Sequence, residues 1–501
     1  MRISFKSRAT RPRRWILELA GRLEAQGHQI AFDIAKEPEP SPHEASLSLL
    51  FTLESLLYGL PEARASALAH WPERTEDPTA SSDLVIDFSG GALAEQVAGA
   101  TLIPLQDGAT GDVGAANAIL EGRSPLLSVA YREPGDGGAR LVATALPALE
   151  EPTIFTRSLD RVLVRISGVI SRVIERLARG EPASTTPALA QILVGPQPSV
   201  MGATTFLGTS LSTKIAWRLR KLSSIGSHWR VGWRWTSGDD VASQLAWPVA
   251  PYAFLPDDAK RFYADPFIFW QHGVAHVFCE EFPYATRKGV ISVFAVGQDG
   301  VIGSPRVVLE RPYHLSYPMV FERDGAIFMI PETSANRTIE LYRATCFPDE
   351  WTLDAVLVNE VSAADGTLVE RGGRLWLLAS IAEDDASTWD ALGLFFASRL
   401  KGPWTAHPSN PVLIDAGSAR PGGLTFARGD ELFRPAQDCT RGYGSALALC
   451  RVEKLDPEIF AQTCVARLAP LPQWGAEGTH TLNFANGLEV IDCVGWRPRR
   501  G

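Results

Sequence analysis

Asp265, Asp365, Arg420 and His480 are the residues whose types and spacing could do chemistry together. Each opens a short run that turns apolar: DPFIFW, DGTLVE, RPGGLTF and HTLNF. Carboxylates can move protons or hold hydroxyls, and an imidazole can do either near neutral pH. A guanidinium can hold an anion bidentately but cannot give up a proton. Tyr317 opens a fifth run, YPMVF, with His314 three residues ahead. The partner runs end in Glu280, Glu281, Glu332, Gln437 and Asp438, and Arg434 lies in the same FRPAQD segment as the last two. The assortment suits a sugar, with carboxylates for acid–base work, cations for a negative leaving group and aromatics for the ring faces. Asp265 and Asp365 are the carboxylates at the strand heads. His314, Tyr317, Glu332, Arg420, Arg434, Gln437, Asp438 and His480 are the candidates for binding substrate.

The elements that would position these residues repeat. Five segments share one plan of apolar strand, tight turn and second strand: DPFIFWQHGVAHVFCEE, YPMVFERDGAIFMIPET, GTLVERGGRLWLLAS, GGLTFARGDELFRPAQD and HTLNFANGLEVIDCVG. Their turn glycines are Gly273, Gly325, Gly373, Gly429 and Gly487. Such a period suits one four-stranded blade per repeat and predicts a five-bladed β-propeller, in which the strand heads converge on one channel mouth. The last repeat has too little chain after it to complete a sheet, and HWRVGWRWT, ahead of the first blade, is placed to donate its missing outer strand. Pro266 lacks an amide donor, which suits the first residue of a strand, and should bias Asp265 towards an extended backbone.

The first 200 residues differ in character. MRISF, the helical RRWILELAGRLEAQ and GHQIAFDIA make a βαβ start, and LVIDF and TLIPLQ add strands that end in turns. This predicts an α/β domain with a Rossmann-type parallel sheet over residues 1–182, a linker and connecting helix over 183–225, and the propeller over 226–501. Residues 181–205 have the Pro, Ser, Thr and Ala content of a linker. The Gly90–Gly91 pair reads as a turn rather than a phosphate cradle.

At 501 residues the chain is long enough for two domains, and 45% hydrophobic with 21% charged residues is ordinary for globular structure. A formal charge of −9 argues against nucleic acid as a partner. The basic RATRPRRW and WRPRR segments are compatible with peripheral contact to anionic lipid. Six scattered cysteines without CxxC spacing predict reduced thiols, and no metal-ligand pattern is present; AEDD at 382–385 reads as a loop. The N-terminus lacks the h-region of a signal peptide and no run spans a bilayer, so the expected location is the cytoplasm.

Three resemblances sharpen these expectations. The order of elements over roughly residues 80–180 resembles the formyltransferase-like domain of methionyl-tRNA formyltransferases. That family's Asn-x-His pair is missing after IPLQDG, and only Asp136 stands for its acid, which implies a degenerate scaffold. YADPF, YHLSYPMVFERDGAIFMIPETS, LYRATCFPDEW, GPWTAHPSNPV, ARPGG, FRPAQDCTRGYGSAL and GTHTLN resemble the N-terminal domain of plant glucosamine inositolphosphorylceramide transferases and its bacterial relatives. More distantly, the Asp-Pro strand head resembles five-bladed family-43 glycoside hydrolases. That likeness implies a general base at Asp265 and a pKa-tuning acid at Asp365. Those hydrolases carry a Glu acid at the head of the fourth blade, where this chain has Arg420. The departure favours glycosyl transfer in surface-glycan or glycolipid synthesis, from a sugar phosphate or nucleotide-sugar donor whose leaving group needs charge stabilisation. No other cofactor is implied. The alternatives are a non-catalytic sugar-binding protein and a hydrolase drawing its acid from Glu332 or Glu477.

Overall fold

Strand β1 (Arg2–Ala9) sinks Ile3 and Phe5 into the core of the first unit, and helix α1 (Arg14–Ala25) covers it with Trp15, Ile16, Leu19 and Leu23 at helical spacing. Gly27, at φ 87°, ends that helix and returns the chain into β2 (Gln29–Glu39). The remaining elements are α2 (Glu44–Tyr58), β3 (Leu84–Asp87), β4 (Ala100–Gln106), α3 (Val113–Leu120), β5 (Leu127–Arg132), β6 (Arg140–Ala145), α4 (Phe155–Ala178) and α5 (Val200–Ser223). The computed structural model describes residues 1–39, 44–62, 64–72, 82–89, 99–134, 138–181, 198–256, 258–382 and 386–498. The chain divides into two units, Met1–Ala216 and Trp217–Gly501.

The sheet of the first unit runs β2-β1-β3-β4-β5-β6. Its first four strands are parallel, but β4–β5 and β5–β6 are antiparallel, so the sheet is mixed rather than the parallel one expected. The reason is local. The chain leaves β4 through a turn at Gln106–Ala109, and the eight-residue α3 is too short to cross back to the strand's start. It re-enters the sheet where it left, Asp107 N–H donating to the Leu126 carbonyl at 2.7 Å. Asp107 also accepts from Leu126 N–H and pairs with Arg123, so the acid after IPLQ serves the turn. Asp136 and the Gly90–Gly91 pair lie outside the described residues, as do 182–197 of the expected linker and 383–385 of AEDD.

The second unit is a five-bladed propeller. Its first four blades begin at Arg261–Gln271, Ser316–Arg323, Ala363–Arg371 and Phe426–Arg428, and the fifth opens with Leu482–Ala485 and Leu488–Pro498. In each blade the first hairpin turns on two residues that include the expected glycine, all five glycines having positive φ. His272, Asp324, Gly372 and Asn486 precede four of these glycines, also at positive φ, which gives the primed turns whose twist matches paired strands. The fifth blade is completed from the N-terminal side. Ser224–Trp235 pairs with Leu488–Pro498 as its third strand, and Ala253–Phe254 takes the outer position. The segment HWRVGWRWT thus closes the ring one strand further in than expected.

Apolar side chains from facing blades fill the spaces between them, for example Val231, Ile268, Val277, Phe294 and Val490 between the fifth and first. The closing strand is also held by charge. Arg234 donates to Glu489 at 2.7 Å, and the same carboxylate accepts from the Tyr252 hydroxyl at 2.5 Å and Val241 N–H at 2.7 Å. In the fourth blade Cys450 and Cys464 lie directly opposite each other on paired strands and form a disulfide, where six reduced thiols were expected.

Candidate functional site

In the first three blades the residue eight positions ahead of the turn glycine breaks the strand in the same way. Asp265, Tyr317 and Asp365 have φ of 51°, 45° and 57°, the left-handed region that costs a non-glycine residue about 1–3 kcal/mol. Each lies at a bulge in the register with its partner strand. The bulge turns the side chain off the blade and towards the neighbouring blades. Pro266 and Pro318 follow immediately, and a bulge is where a strand accommodates a missing amide. Asp265 is therefore not extended and Pro266 is not the first residue of its strand, which begins at Arg261, because the bulge geometry overrides the preference imposed by the proline.

The side chains so aimed meet those of the last two blades. Asp265 Oδ1 accepts from Thr481 Oγ1 at 2.8 Å and lies 3.6 Å from His480 Nδ1. His480 Nδ1 is 2.7 Å from Asp492 Oδ2, and Asp492 also accepts the backbone N–H groups of Asp265, His480 and Thr481. Trp229 stacks on the imidazole at 3.8 Å between centroids. On the other side, Arg420 Nε donates to Asp365 Oδ2 at 2.6 Å and Gln437 Nε2 to the same oxygen at 2.7 Å. The terminal nitrogens of Arg420 reach Tyr443 Oη at 3.3 Å, Thr388 Oγ1 at 3.5 Å and Glu332 Oε2 at 3.8 Å.

The site thus gathers five carboxyl groups, Asp265, Glu280, Glu332, Asp365 and Asp492, around one guanidinium and one imidazole. Burial pushes Asp265 up to about 6 against the pull of His480, with Asp365 and Asp492 adding repulsion. Asp365 rises to about 7 through burial, only partly offset by Arg420. Burial, and then the facing carboxylates, raise Glu280 well above the usual carboxylate range. Burial would lower His480, but Asp492 and Asp265 outweigh it and the imidazole titrates above its ordinary value. Asp492 is held below the usual range despite burial, by the charge and hydrogen bond of His480. The arrangement can therefore take a proton at Asp265, hold one more readily at Glu280 and His480 than the free side chains would, and place positive charge at Arg420.

Of the residues expected from the repeats, Asp265, Asp365, Arg420, His480, Glu332 and Gln437 come together here. His314 stands at the rim, its Nδ1 accepting from Gly289 N–H and its Nε2 3.4 Å from Glu280. Tyr317 lies deeper, spending its hydroxyl on Thr367 Oγ1 and Gly423 N–H at 3.0 and 2.6 Å. Arg434 is buried within the fourth blade, donating to Gln462 and to the Ser418 and Ala419 carbonyls, and burial lowers it to about 10. Asp438 pairs with Arg467 and caps Thr440. None of the contacts of these last two residues reaches the carboxyl cluster.

Asp492, Tyr443, Trp229 and Thr481 were not anticipated, and Glu280 was seen only as a strand end. The signal for Glu280 was its place seven residues after the turn glycine, which Glu332 and Ser380 share in the next two blades. Asp492 breaks that count in a shortened fifth hairpin and is hidden inside VIDCV. At the mouth, Trp389 lies 5.4 Å from Tyr443, whose edge meets His480 at 5.2 Å, giving an aromatic wall beside the acids. Tyr443 is 36% exposed. Two surface cavities of the second unit, one of about 390 Å³ beside Arg230, Trp474 and Trp496 and one of about 250 Å³ beside Asp240 and Arg428, contain none of these residues.

Residues 235–477 match the family described as glucosamine inositolphosphorylceramide transferase 1, N-terminal. The chain is 35% identical over 238 residues to glucosamine inositolphosphorylceramide transferase 1 of Oryza sativa subsp. japonica, covering 46% of this chain and 32% of that protein. With the Arabidopsis thaliana protein of the same name it is 31% identical over 207 residues, 40% and 27% of the two chains. The chain thus spans about a third of the length of the curated relatives it matches. Among solved structures it is similar to a family 117 glycoside hydrolase from Zobellia galactanivorans, with 13% identity, a TM-score of 0.35 and coverage of 53% and 90%. A GH43 protein from Bacillus licheniformis aligns at 16% identity and a TM-score of 0.32, over 40% and 43%. Residues 235–477, which make up most of the propeller, are thus the part of the chain that is similar to the glucosamine inositolphosphorylceramide transferase N-terminal family.

Proposed function

We propose that the propeller transfers a glycosyl group in the synthesis of a surface glycan or glycolipid. Asp265 acts as the base that takes the proton of the acceptor hydroxyl. The observation that carries this reading is the strained, left-handed residue repeated in three successive blades. That strain directs Asp265 and Asp365 into one acid cluster beside His480 and Arg420. With a pKa of about 6, Asp265 is ionised at neutral pH yet remains basic enough to accept a proton. As that proton moves to Asp265, the acceptor oxygen bonds to the anomeric carbon. The bond from that carbon to the donor's phosphate oxygen breaks, and the phosphate leaves with the electron pair. His480 and the outward nitrogens of Arg420 offer it positive charge. The name of the relatives, glucosamine inositolphosphorylceramide transferase, supports a glycolipid acceptor. A nucleotide-sugar donor, a cytoplasmic site and peripheral membrane contact complete the proposal.

Purified protein incubated with nucleotide sugars and inositol-containing lipids should form a glycosylated lipid. Asp265→Asn should abolish product while the protein stays folded, and full turnover in that variant would sink the assignment. A second reading, sugar recognition without turnover, draws on the burial of Asp265, both of whose oxygens already accept hydrogen bonds. Calorimetric binding of a glycan with no product from any donor would favour it.

A further inference from the structure

Helix α5 contains no acidic residue along its 24 positions, yet it carries Lys214, Arg218, Arg220 and Lys221 in its second half. At 100° per residue, Met201, Leu211, Ile215, Leu219 and Leu222 fall within an arc of about 80°. All five are exposed, Leu211 at 41% and Leu222 at 78%. The buried residues of the same helix, Ala203, Phe206 and Ser210, lie on a different face. Phe206 meets Phe155, and Ser210 bonds the Thr153 carbonyl. From Leu211 to Ser223 none of the described side chains is buried. Arg218 borders the apolar stripe directly, with Lys214 and Lys221 one step beyond on the same edge.

We propose that this stripe is an interfacial surface that lies on an anionic lipid bilayer. An exposed apolar strip bordered by cations, on a helix lacking acids, has the composition of a monotopic helix whose leucines enter the acyl boundary while Lys and Arg meet headgroup charge. Among the described residues no helix is long and apolar enough to cross a membrane, so contact through this helix is along the surface. Charge decides against a second copy of the chain as the occupant. Pairing the stripe with itself would set Lys214, Arg218 and Lys221 beside their own kind, with no Asp or Glu on the helix to answer them. Arg220 is paired with Glu477 at 3.0 Å and lies over Trp496, Lys214 donates to the Tyr58 hydroxyl and Lys221 lies over Trp217, so Arg218, which borders the stripe, is the cation placed to meet headgroup charge first. The helix runs without a break into Ser224–Trp235, so a bilayer that holds it also holds the strand that closes the propeller. The proposal does not depend on glycosyl transfer.

The test is vesicle flotation of the full chain. With vesicles of phosphatidylcholine containing roughly 30% phosphatidylglycerol, the protein should float, and with phosphatidylcholine alone it should bind about tenfold less. Raising the salt to roughly 0.5 M should release it, since screened cations lose their hold on the surface. Leu219→Ser with Leu222→Ser should abolish flotation while leaving the circular dichroism melt unchanged. Arg218→Gln with Lys221→Gln should remove the preference for anionic vesicles. Flotation of the double leucine variant at the parent level would overturn the proposal, as would no vesicle binding by the parent. So would a dimer seen by light scattering that becomes monomeric in the leucine variant.

Discussion

Arg420 sets its Nε 2.6 Å from Asp365 Oδ2, an ion pair that ties the fourth blade to the third with both side chains out of water. Removing the cation leaves Asp365 facing Glu332 with no positive charge beside it and only the Gln437 amide donating to it. A buried carboxylate stripped of its partner costs about 3–5 kcal/mol, unless it can take up a proton. Asp365 already titrates near 7, so the cost depends on pH. Arg420→Met should lose about 3 kcal/mol in urea denaturation at pH 8 and much less at pH 5. Equal losses at both pH values would show that the pairing is not what holds the residues.

The left-handed backbone at Asp265 predicts an order among its substitutions. Asparagine tolerates this region and retains an oxygen for Thr481, so Asp265→Asn should stay within about 1 kcal/mol of the parent. A β-branched residue does not tolerate it, and Asp265→Val should cost about 1–3 kcal/mol beyond the lost hydrogen bond. Thermal melts of the two variants read the difference.

The raised carboxyl groups also fix how stability should vary with pH. Asp265, Glu280, Asp365 and His480 all hold protons more tightly folded than unfolded. For the acids the stabilising effect is complete below the ordinary carboxylate range. It fades as pH rises through about 6 for Asp265 and about 7 for Asp365, while that of His480 fades above its ordinary value. Asp492 works the other way and matters only below its ordinary value. The melting temperature should therefore fall between pH 5 and pH 8. Turnover by an Asp265 base should rise over the lower part of the same window, as the carboxyl ionises near pH 6. A stability maximum at pH 8 would contradict this set of shifts.

The fifth blade offers a test away from the site. Glu489 is fully buried and joins Arg234 of the closing strand to Tyr252 and Val241. Glu489→Ala should cost about 3–5 kcal/mol in chemical denaturation, because Arg234 is left largely buried and short of its acceptor. Glu489→Gln should lose less, since an amide oxygen still accepts.

The propeller was legible because its turns repeat a chemical requirement. Gly273, Gly325, Gly373, Gly429 and Gly487 all need positive φ, and a glycine at a fixed place between two apolar runs shows in the sequence. The strand heads followed from the same alignment, and Asp265, Asp365, Arg420 and His480 do converge. Arg434 and Asp438 looked equivalent to Gln437, but a strand alternates faces, and only the placement of a whole blade shows which face meets the channel. Asp492 was hidden because its five-residue separation from Gly487 departs from the seven seen earlier, and its apolar neighbours suggest core. In the first unit the strands were visible, but their direction was not. Whether β5 runs with or against β4 depends on where a short helix lets the chain return, which hydrophobic pattern does not encode.

The closing blade has a consequence for the order in which the molecule can be built. Val231 sits opposite Asp492 in that sheet, so a strand made early in synthesis finds its partner only after some 260 further residues have been added. Contacts between such distant positions carry a large loop-closure cost and slow the search for them. Until then Ser224–Trp235 presents an unpaired, tryptophan-rich edge to the cell, and His480 lacks the Trp229 face against which it stacks. Final assembly of the acid cluster is therefore a late event in the life of the nascent chain, timed by the arrival of Leu488–Pro498 rather than by any blade folding on its own.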